Sequence, residues 1–332
     1  MGKLRTGVIG MGYMGDAHAR FYLAQPDVEF VGCAESFDKR REEVKEQLGV
    51  EVYKTPEELF AQGLDAVSIC TPDDLHKDLI LKAFENKVKV LVEKPLAISS
   101  ADCEEILAKR PDPTYLMVGH DLRFDPRAIQ AKRAIDQGKL GEILHINIWR
   151  NNTVANAGRL GKRTSIAWFL GIHDIDLVLW MTGLKVKKVA AANGFKYNSP
   201  NWDYTSSHLI MDNDALVVME NHWLLPYQHS SQVDTGMKVV GSKGMLELEL
   251  GFSEVSFAPM EGEGCRFFDT SYQPDDLNDV PSGDLGREIR AFLRAVAENT
   301  VPPITGEESY EAVKVIHRVH EVLEKTGYTI EK

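Results

Sequence analysis

No run of apolar residues in this chain approaches the roughly 20 needed to cross a bilayer. Its first residues, MGKLRTGVIG, also lack the apolar centre of a secretory signal. A cytoplasmic protein with no membrane partner is expected. Cysteine is scarce, four in 332 residues at Cys33, Cys70, Cys103 and Cys265, and no two form a CxxC pair. Thiols so few and scattered neither staple a fold nor build a zinc cluster, so reduced and mostly buried side chains are expected. Basic charge is in deficit as well, with 38 Lys and Arg against 50 Asp and Glu, a formal net charge of -12 and no long Lys/Arg run. Such a chain repels a phosphate backbone, and no nucleic-acid partner is expected. What is present is an ordinary globular composition, 43% hydrophobic and 27% charged, in a length sufficient for two cores.

The first third alternates short Val- and Ile-rich runs with helix-period segments. LRTGVI precedes a helix at 13–24, VEFVGCAE one at 38–48, DAVSICT one at 74–86 and VKVLVEK one at 99–109; TYLMVGH closes the series. Strands and helices in alternation predict an α/β fold, a doubly wound parallel sheet covered on both faces, over residues 1–123. The rhythm then changes. A helix at 126–137 and a strand at 142–150 lead into a polar stretch at 151–164, read as a loop. Strands follow near 186–195, 206–211, 215–223, 237–240 and 245–250, and helices at 285–298 and 307–325 end the chain. Successive strands without intervening helices predict a second, α+β domain over residues 124–332 with an antiparallel or mixed sheet, its last helices free to pack back on the first domain.

The first turn reads GVIGMGYMGDAHA, which sets Gly10, Gly12 and Gly15 in GxGxxG spacing between a strand and a helix, with Tyr13 and Met14 inside the turn. Glycine there permits the tight turn, a close backbone approach to a pyrophosphate, and helix-on-strand packing, while the helix N-terminus faces the phosphates. Glu35 ends the second strand 20 residues beyond Gly15, where this fold places an acid against the adenosine ribose hydroxyls. A carboxylate disfavours a 2'-phosphate, so NAD is the expected cofactor; Lys39, Arg40 and Arg41 close behind keep NADP open. TPDDLH, with Thr71, Pro72 and His76, and VEKPLA, with Glu93 and Lys94, each follow a strand of the same sheet. Ligands bind beyond the carboxyl ends of parallel strands, which puts both loops on the cofactor's side.

Together with GIHDIDLVLW in the second domain and GHDLRFDP at the domain junction, these motifs resemble those of the Gfo/Idh/MocA family of NAD(P)-dependent oxidoreductases, nearly end to end. The resemblance implies a Rossmann domain followed by a large, mainly antiparallel open sheet whose face joins subunits in a homo-oligomer, a dimer or tetramer. It also implies a small carbohydrate-like substrate, with Lys94 beside the nicotinamide and the substrate hydroxyl and His173 exchanging the proton. Alcohol oxidation needs such groups: a hydride leaves carbon, a proton leaves oxygen, and a base of near-neutral pKa must reach the hydroxyl. The expected activity is hydride transfer to or from a sugar, polyol, sugar acid or nucleotide sugar.

One position departs from the pattern. Many family members carry an aspartate four residues before the histidine, where this chain has Phe169. An apolar ring there offers a face to the substrate, and Arg123, Asn152, Asn156, Arg159 and Asp176 are the accompanying candidates for substrate contact; Asp174 is expected to cap the helix starting near Ile172. Two other readings follow from the missing carboxylate: a redox-neutral sugar conversion with tightly held cofactor, or an idle NAD-binding sensor. A metal site is not expected, because His173 and Asp174 are adjacent on a helix and diverge.

Overall fold

The computed structural model describes residues 2–229, 233–250, 256–257, 266–267 and 283–330. By internal contacts the chain divides into two units, Met1–Asp121 with Thr270–Val313, and Leu122–Asp269 with Lys314–Lys332. The first boundary lies within two residues of 123. The rest is not one contiguous segment, as 124–332 would be, because a C-terminal stretch belongs to the first unit.

In the first unit, β1 (Leu4–Ile9), α1 (Tyr13–Ala24), β2 (Val28–Ala34), α2 (Asp38–Leu48), β3 (Val52–Tyr53), α3 (Pro56–Phe60), β4 (Ala66–Ile69), α4 (His76–Glu85), β5 (Lys89–Glu93), α5 (Ser100–Lys109) and β6 (Leu116–Gly119) follow in order. The six strands lie β3-β2-β1-β4-β5-β6 and every pairing is parallel. Strand order reverses between β1 and β4, the switch point beyond which ligands bind in open α/β sheets. β4 is buried at every residue, as expected for a strand covered on both faces. Two elements escaped the sequence reading, β3 and α3. The second carries a full capping box, in which Thr55 accepts from the Glu58 amide and the Glu58 carboxylate accepts from the Thr55 amide, with Pro56 in the first turn.

The second unit begins with α6 (Pro126–Asp136), capped by Asp125, whose carboxylate accepts from the Arg127 amide. Then come β7 (Ile143–Thr153), α7 (Val154–Leu160), a π-helical turn over Ala167–Gly171, α8 (Ile172–Thr182), β8 (Val186–Lys196), β9 (Tyr204–Met211), β10 (Leu216–Leu225), β11 (Val233–Gly241) and β12 (Gly244–Glu249). A short pair, β13 (Ser256–Phe257) with β14 (Arg266–Phe267), follows. Of the remaining elements α9 (Asp284–Glu298) belongs to the first unit, α10 (Gly306–Thr326) starts there and ends in the second, and β15 (Tyr328–Thr329) belongs to the second. The large sheet runs β12-β11-β7-β10-β9-β8-β15. It is mostly antiparallel, with β7–β10 and β8–β15 parallel.

The stretch 151–164 is not a loop. Asn151 and Asn152 continue β7, pairing with β11, and α7 follows at once. Polar composition misleads here because the side chains are satisfied inside the fold. Asn151 donates to Asp234, and the Asn152 side-chain oxygen accepts from the Thr153 amide and from Asn156. Of the four cysteines, Cys33 and Cys103 are buried, Cys70 is half-buried and none of these is in a disulfide; Cys265 lies outside the described residues.

Candidate active site

The glycine turn after β1 is built as its spacing requires. A Cβ on Gly15 would sit 1.9 Å from the Gly10 carbonyl oxygen, so only glycine lets α1 close on β1 there. Gly10 itself has φ +87 and presses on Thr71 and the Cys70 backbone. At Gly12, the residue preceding α1, a Cβ would meet nothing within 4 Å. Among the described residues nothing demands glycine at that point. The space it leaves open at a helix N-terminus is where a pyrophosphate would approach.

Glu35 follows β2 and ties the two turns together. One carboxylate oxygen accepts from the Met11 amide at 3.0 Å and the other from the Phe37 amide at 2.9 Å. Of the three cations that keep NADP open, Lys39 is exposed with its Nζ 3.9 Å from Glu43, and the two arginines are engaged elsewhere. Arg40 donates to the Met11 carbonyl and to Glu43, and Arg41 donates to the carbonyls of Glu35 and Ser36 and pairs with Asp38. Neither arginine is held out for a 2'-phosphate. Phe37, 74% exposed, and Leu75, 48% exposed, also stand near carboxyl ends of strands in this unit. Sequence reasoning passed over both; large apolar side chains beside Glu35 and inside TPDDLH were the available signal.

Two further turns lie at the same edge of the sheet. His76 opens α4 and is buried, its Nδ1 2.8 Å from the Pro95 carbonyl and its Nε2 3.1 Å from the Thr71 carbonyl. Burial pushes its pKa down while the two carbonyls pull it up, and the ring lies within hydrogen-bonding distance of both. His76 thereby straps the Thr71–Pro72 turn to the Glu93–Lys94–Pro95 turn. Lys94 is half-buried at the end of β5, and Glu93 accepts from His18.

In the second unit the polar cluster sits on α8 behind the π turn, in which the Ile172 amide reaches back five residues to the Ala167 carbonyl. Such turns are enriched at functional sites. His173 is 9% exposed in the first turn of α8. Asp174 does not cap the helix; Gly171 precedes it and no side chain caps it. Instead Asp174 is fully buried, bonded to Arg150 at 2.8 Å and to Asn221 at 2.6 Å, because α8 packs its first turn on a buried polar row of the sheet. Thr235, Arg150, Asn221 and Thr205 form that row across β11, β7, β10 and β9. Burial pushes the Asp174 carboxyl above the ordinary carboxylate range, with Arg150 opposing. Asp176 holds Arg123 by two hydrogen bonds of 2.7 and 2.8 Å, so these two candidates meet each other in the interior. Asn156 links Asn152 to Arg159.

Phe169 lies in the π turn with its ring 6.1 Å from that of Trp223, packed on a cluster of Ala157, Ile166, Leu170 and Trp223. The ring is part of the core as well as of the candidate site. Phe169→Asp, which installs the family's carboxylate, is therefore expected to destabilise the protein by about 1–3 kcal/mol, since a charge replaces a packed ring. Denaturant unfolding tests this, and an unchanged midpoint would contradict the packing role.

A switch-point parallel sheet with an open glycine turn is the architecture of a dinucleotide-binding unit, and a unit built on a large mixed sheet follows it. Residues 4–120 match the family model described as an oxidoreductase family with an NAD-binding Rossmann fold, and residues 128–247 match the GFO/IDH/MocA C-terminal domain. The chain belongs to the Gfo/Idh/MocA family of oxidoreductases, and its cofactor is NAD. It is 27% identical over 341 residues to an inositol 2-dehydrogenase of Rhizobium meliloti (strain 1021), covering 98% of this chain and 99% of that protein. To the scyllo-inositol 2-dehydrogenase (NAD(+)) of Bacillus subtilis (strain 168) it is 29% identical over 255 residues, 74% of this chain and 73% of that one. The crystal structure of a scyllo-inositol dehydrogenase from Lactobacillus casei with bound NAD(H) and scyllo-inositol shares the fold, with a TM-score of 0.79 at 21% identity and 97% coverage of both chains. Among the described residues, no helix is long and apolar enough to cross a membrane.

Proposed function

We propose that this protein is an NAD-dependent dehydrogenase that oxidises a secondary hydroxyl of a cyclic polyol or related sugar. The observation that carries the reading is the edge of the parallel sheet: the Gly12 gap, the Glu35 clamp, the Thr71 turn and Lys94 all follow strands at their carboxyl ends. The names of the relatives, inositol dehydrogenases, favour a cyclic polyol as substrate.

When bound, NAD supplies the hydride acceptor. The chain's own residues do the rest. Gly10, Gly12, Tyr13, Met14 and Gly15 form the pyrophosphate turn, and Glu35 takes the ribose hydroxyls in exchange for part of its backbone clamp. Lys94 places an ammonium beside the reacting hydroxyl, where it stabilises developing alkoxide. His173 accepts the proton. Asp174 and Asp176, each held by an arginine, fix the helix that carries His173.

Mixing the protein with NAD, and separately NADP, against inositols, aldoses, sugar acids and UDP-sugars tests this by reduced-nicotinamide absorbance. A signal with NAD and an inositol or cyclic sugar is expected. Product formed without net cofactor reduction would replace this reading with the redox-neutral one, and silence with NAD bound would favour a sensor.

A further inference from the structure

Ser68 is a hydroxyl in the middle of β4, a strand otherwise made of Ala66, Val67 and Ile69 and buried throughout. Its Oγ lies 2.6 Å from the Tyr22 hydroxyl and 2.9 Å from Nδ1 of His18, and Nε2 of His18 lies 3.2 Å from a carboxylate oxygen of Glu93. Tyr22, Ser68 and His18 are all fully buried. The direction of every bond in this chain can be derived. Burial drives the Tyr22 pKa well up, so the phenol keeps its proton, and Ser68 is the acceptor it has. At the other end a carboxylate can only accept, so Nε2 of His18 carries the proton that faces Glu93. Nδ1 of a neutral ring is then an acceptor, and Ser68, which accepts from Tyr22, donates to it.

We infer that Tyr22, Ser68 and His18 form a one-way donor chain that holds His18 in its Nε2–H tautomer and fixes the Glu93 carboxylate, making His18 a positioning residue for the Glu93–Lys94 turn. The functional half of this inference rests on the reading of Lys94 as the group beside the substrate hydroxyl. Glu93 immediately precedes Lys94, so a carboxylate anchored to the floor of the sheet fixes the backbone from which the ammonium projects. His18, Cys70 and Glu93 also bring potential ligand atoms within 4.8 Å of one another, the one such group among the described residues. Hydrogen bonds engage both His18 nitrogens, and burial, then Glu93 and Glu288, push the Cys70 thiol well up, so the group is organised for hydrogen bonding in preference to a metal.

The test has two independent readouts. In protein labelled with 15N-histidine, long-range proton–nitrogen correlation at pH 7, with His18 assigned by its loss in His18→Gln, is expected to show an unprotonated Nδ1 and a protonated Nε2. A protonated Nδ1, alone or with Nε2, would overturn the chain. In turnover, His18→Leu is expected to lower kcat about tenfold or more with KM and NAD affinity little changed, as a displaced catalytic group does. His18→Gln, whose amide can accept from Ser68 and donate to Glu93, is expected to recover part of that loss. Wild-type kcat in His18→Leu, or equal losses in both variants, would overturn the positioning role. Undiminished turnover in Lys94→Ala would instead remove the reading of Lys94 and leave the tautomer to decide the chain.

Discussion

Lys94→Ala is expected to lower NAD-dependent oxidation of a cyclic polyol by about a hundred- to ten-thousandfold, the usual range for a group that moves or stabilises a proton in the transition state. NAD affinity, measured separately by fluorescence or calorimetry, should change far less. The glycine turn and Glu35, proposed above to hold the cofactor, are untouched by the substitution. Lys94 stands at the end of a buried strand, between Glu93, which His18 anchors, and Pro95, whose carbonyl His76 grips. With both neighbours so held, the backbone that carries the Lys94 side chain is fixed in place. His173→Asn should produce a loss of the same order. Equal turnover in wild type and Lys94→Ala would show that Lys94 does not act on the reacting hydroxyl.

Arg123→Ala is expected to destabilise the protein by about 3–5 kcal/mol, because it removes the cation of a buried ion pair and keeps the Asp176 carboxylate inside. Arg123 gives Asp176 two hydrogen bonds, with both side chains at most 5% exposed, and the guanidinium also lies over the Trp180 ring at 5.9 Å. For a unit of this size the apparent Tm should fall by about 10 °C, at roughly 2–4 °C per kcal/mol. Replacing both partners, Arg123→Leu with Asp176→Leu, should recover much of the loss, since the penalty lies in the buried charge left behind. If Arg123 instead served mainly to bind substrate, Arg123→Ala would raise KM with an unchanged melting temperature. Differential scanning fluorimetry and steady-state kinetics on the same preparations separate the two.

The first unit was largely legible in the sequence because parallel strands buried on both faces write themselves as Val- and Ile-rich runs between helical segments, as in β4 and β5. The glycine turn was equally plain, since each glycine has its own steric or ligand-facing reason. What escaped was short or non-local. β3 has two residues, too few for a period, although Thr55-Pro56 with Glu58 was a readable start signal for α3. β7 was cut short at Arg150 because Asn151 and Asn152 look like loop residues until their partners Asp234 and Asn156 are in place. Asp174 was misassigned for the same reason. A carboxylate in a first turn suits the helix dipole, but its actual partners, Arg150 and Asn221, lie 24 and 47 residues away. Asp176, a candidate for substrate contact in the sequence, has Arg123 as its partner in the interior, 53 residues away.

The central claim is that a substrate alcohol gives its carbon-bound hydrogen to NAD while this chain's residues take the hydroxyl proton. The most direct measurement uses an inositol deuterated at the carbon bearing the reacting hydroxyl, with mass spectrometry of both cofactor and product. The account predicts one deuterium in the reduced cofactor for each keto product formed. Keto product without deuterated cofactor, or converted sugar with the cofactor left oxidised, would contradict it.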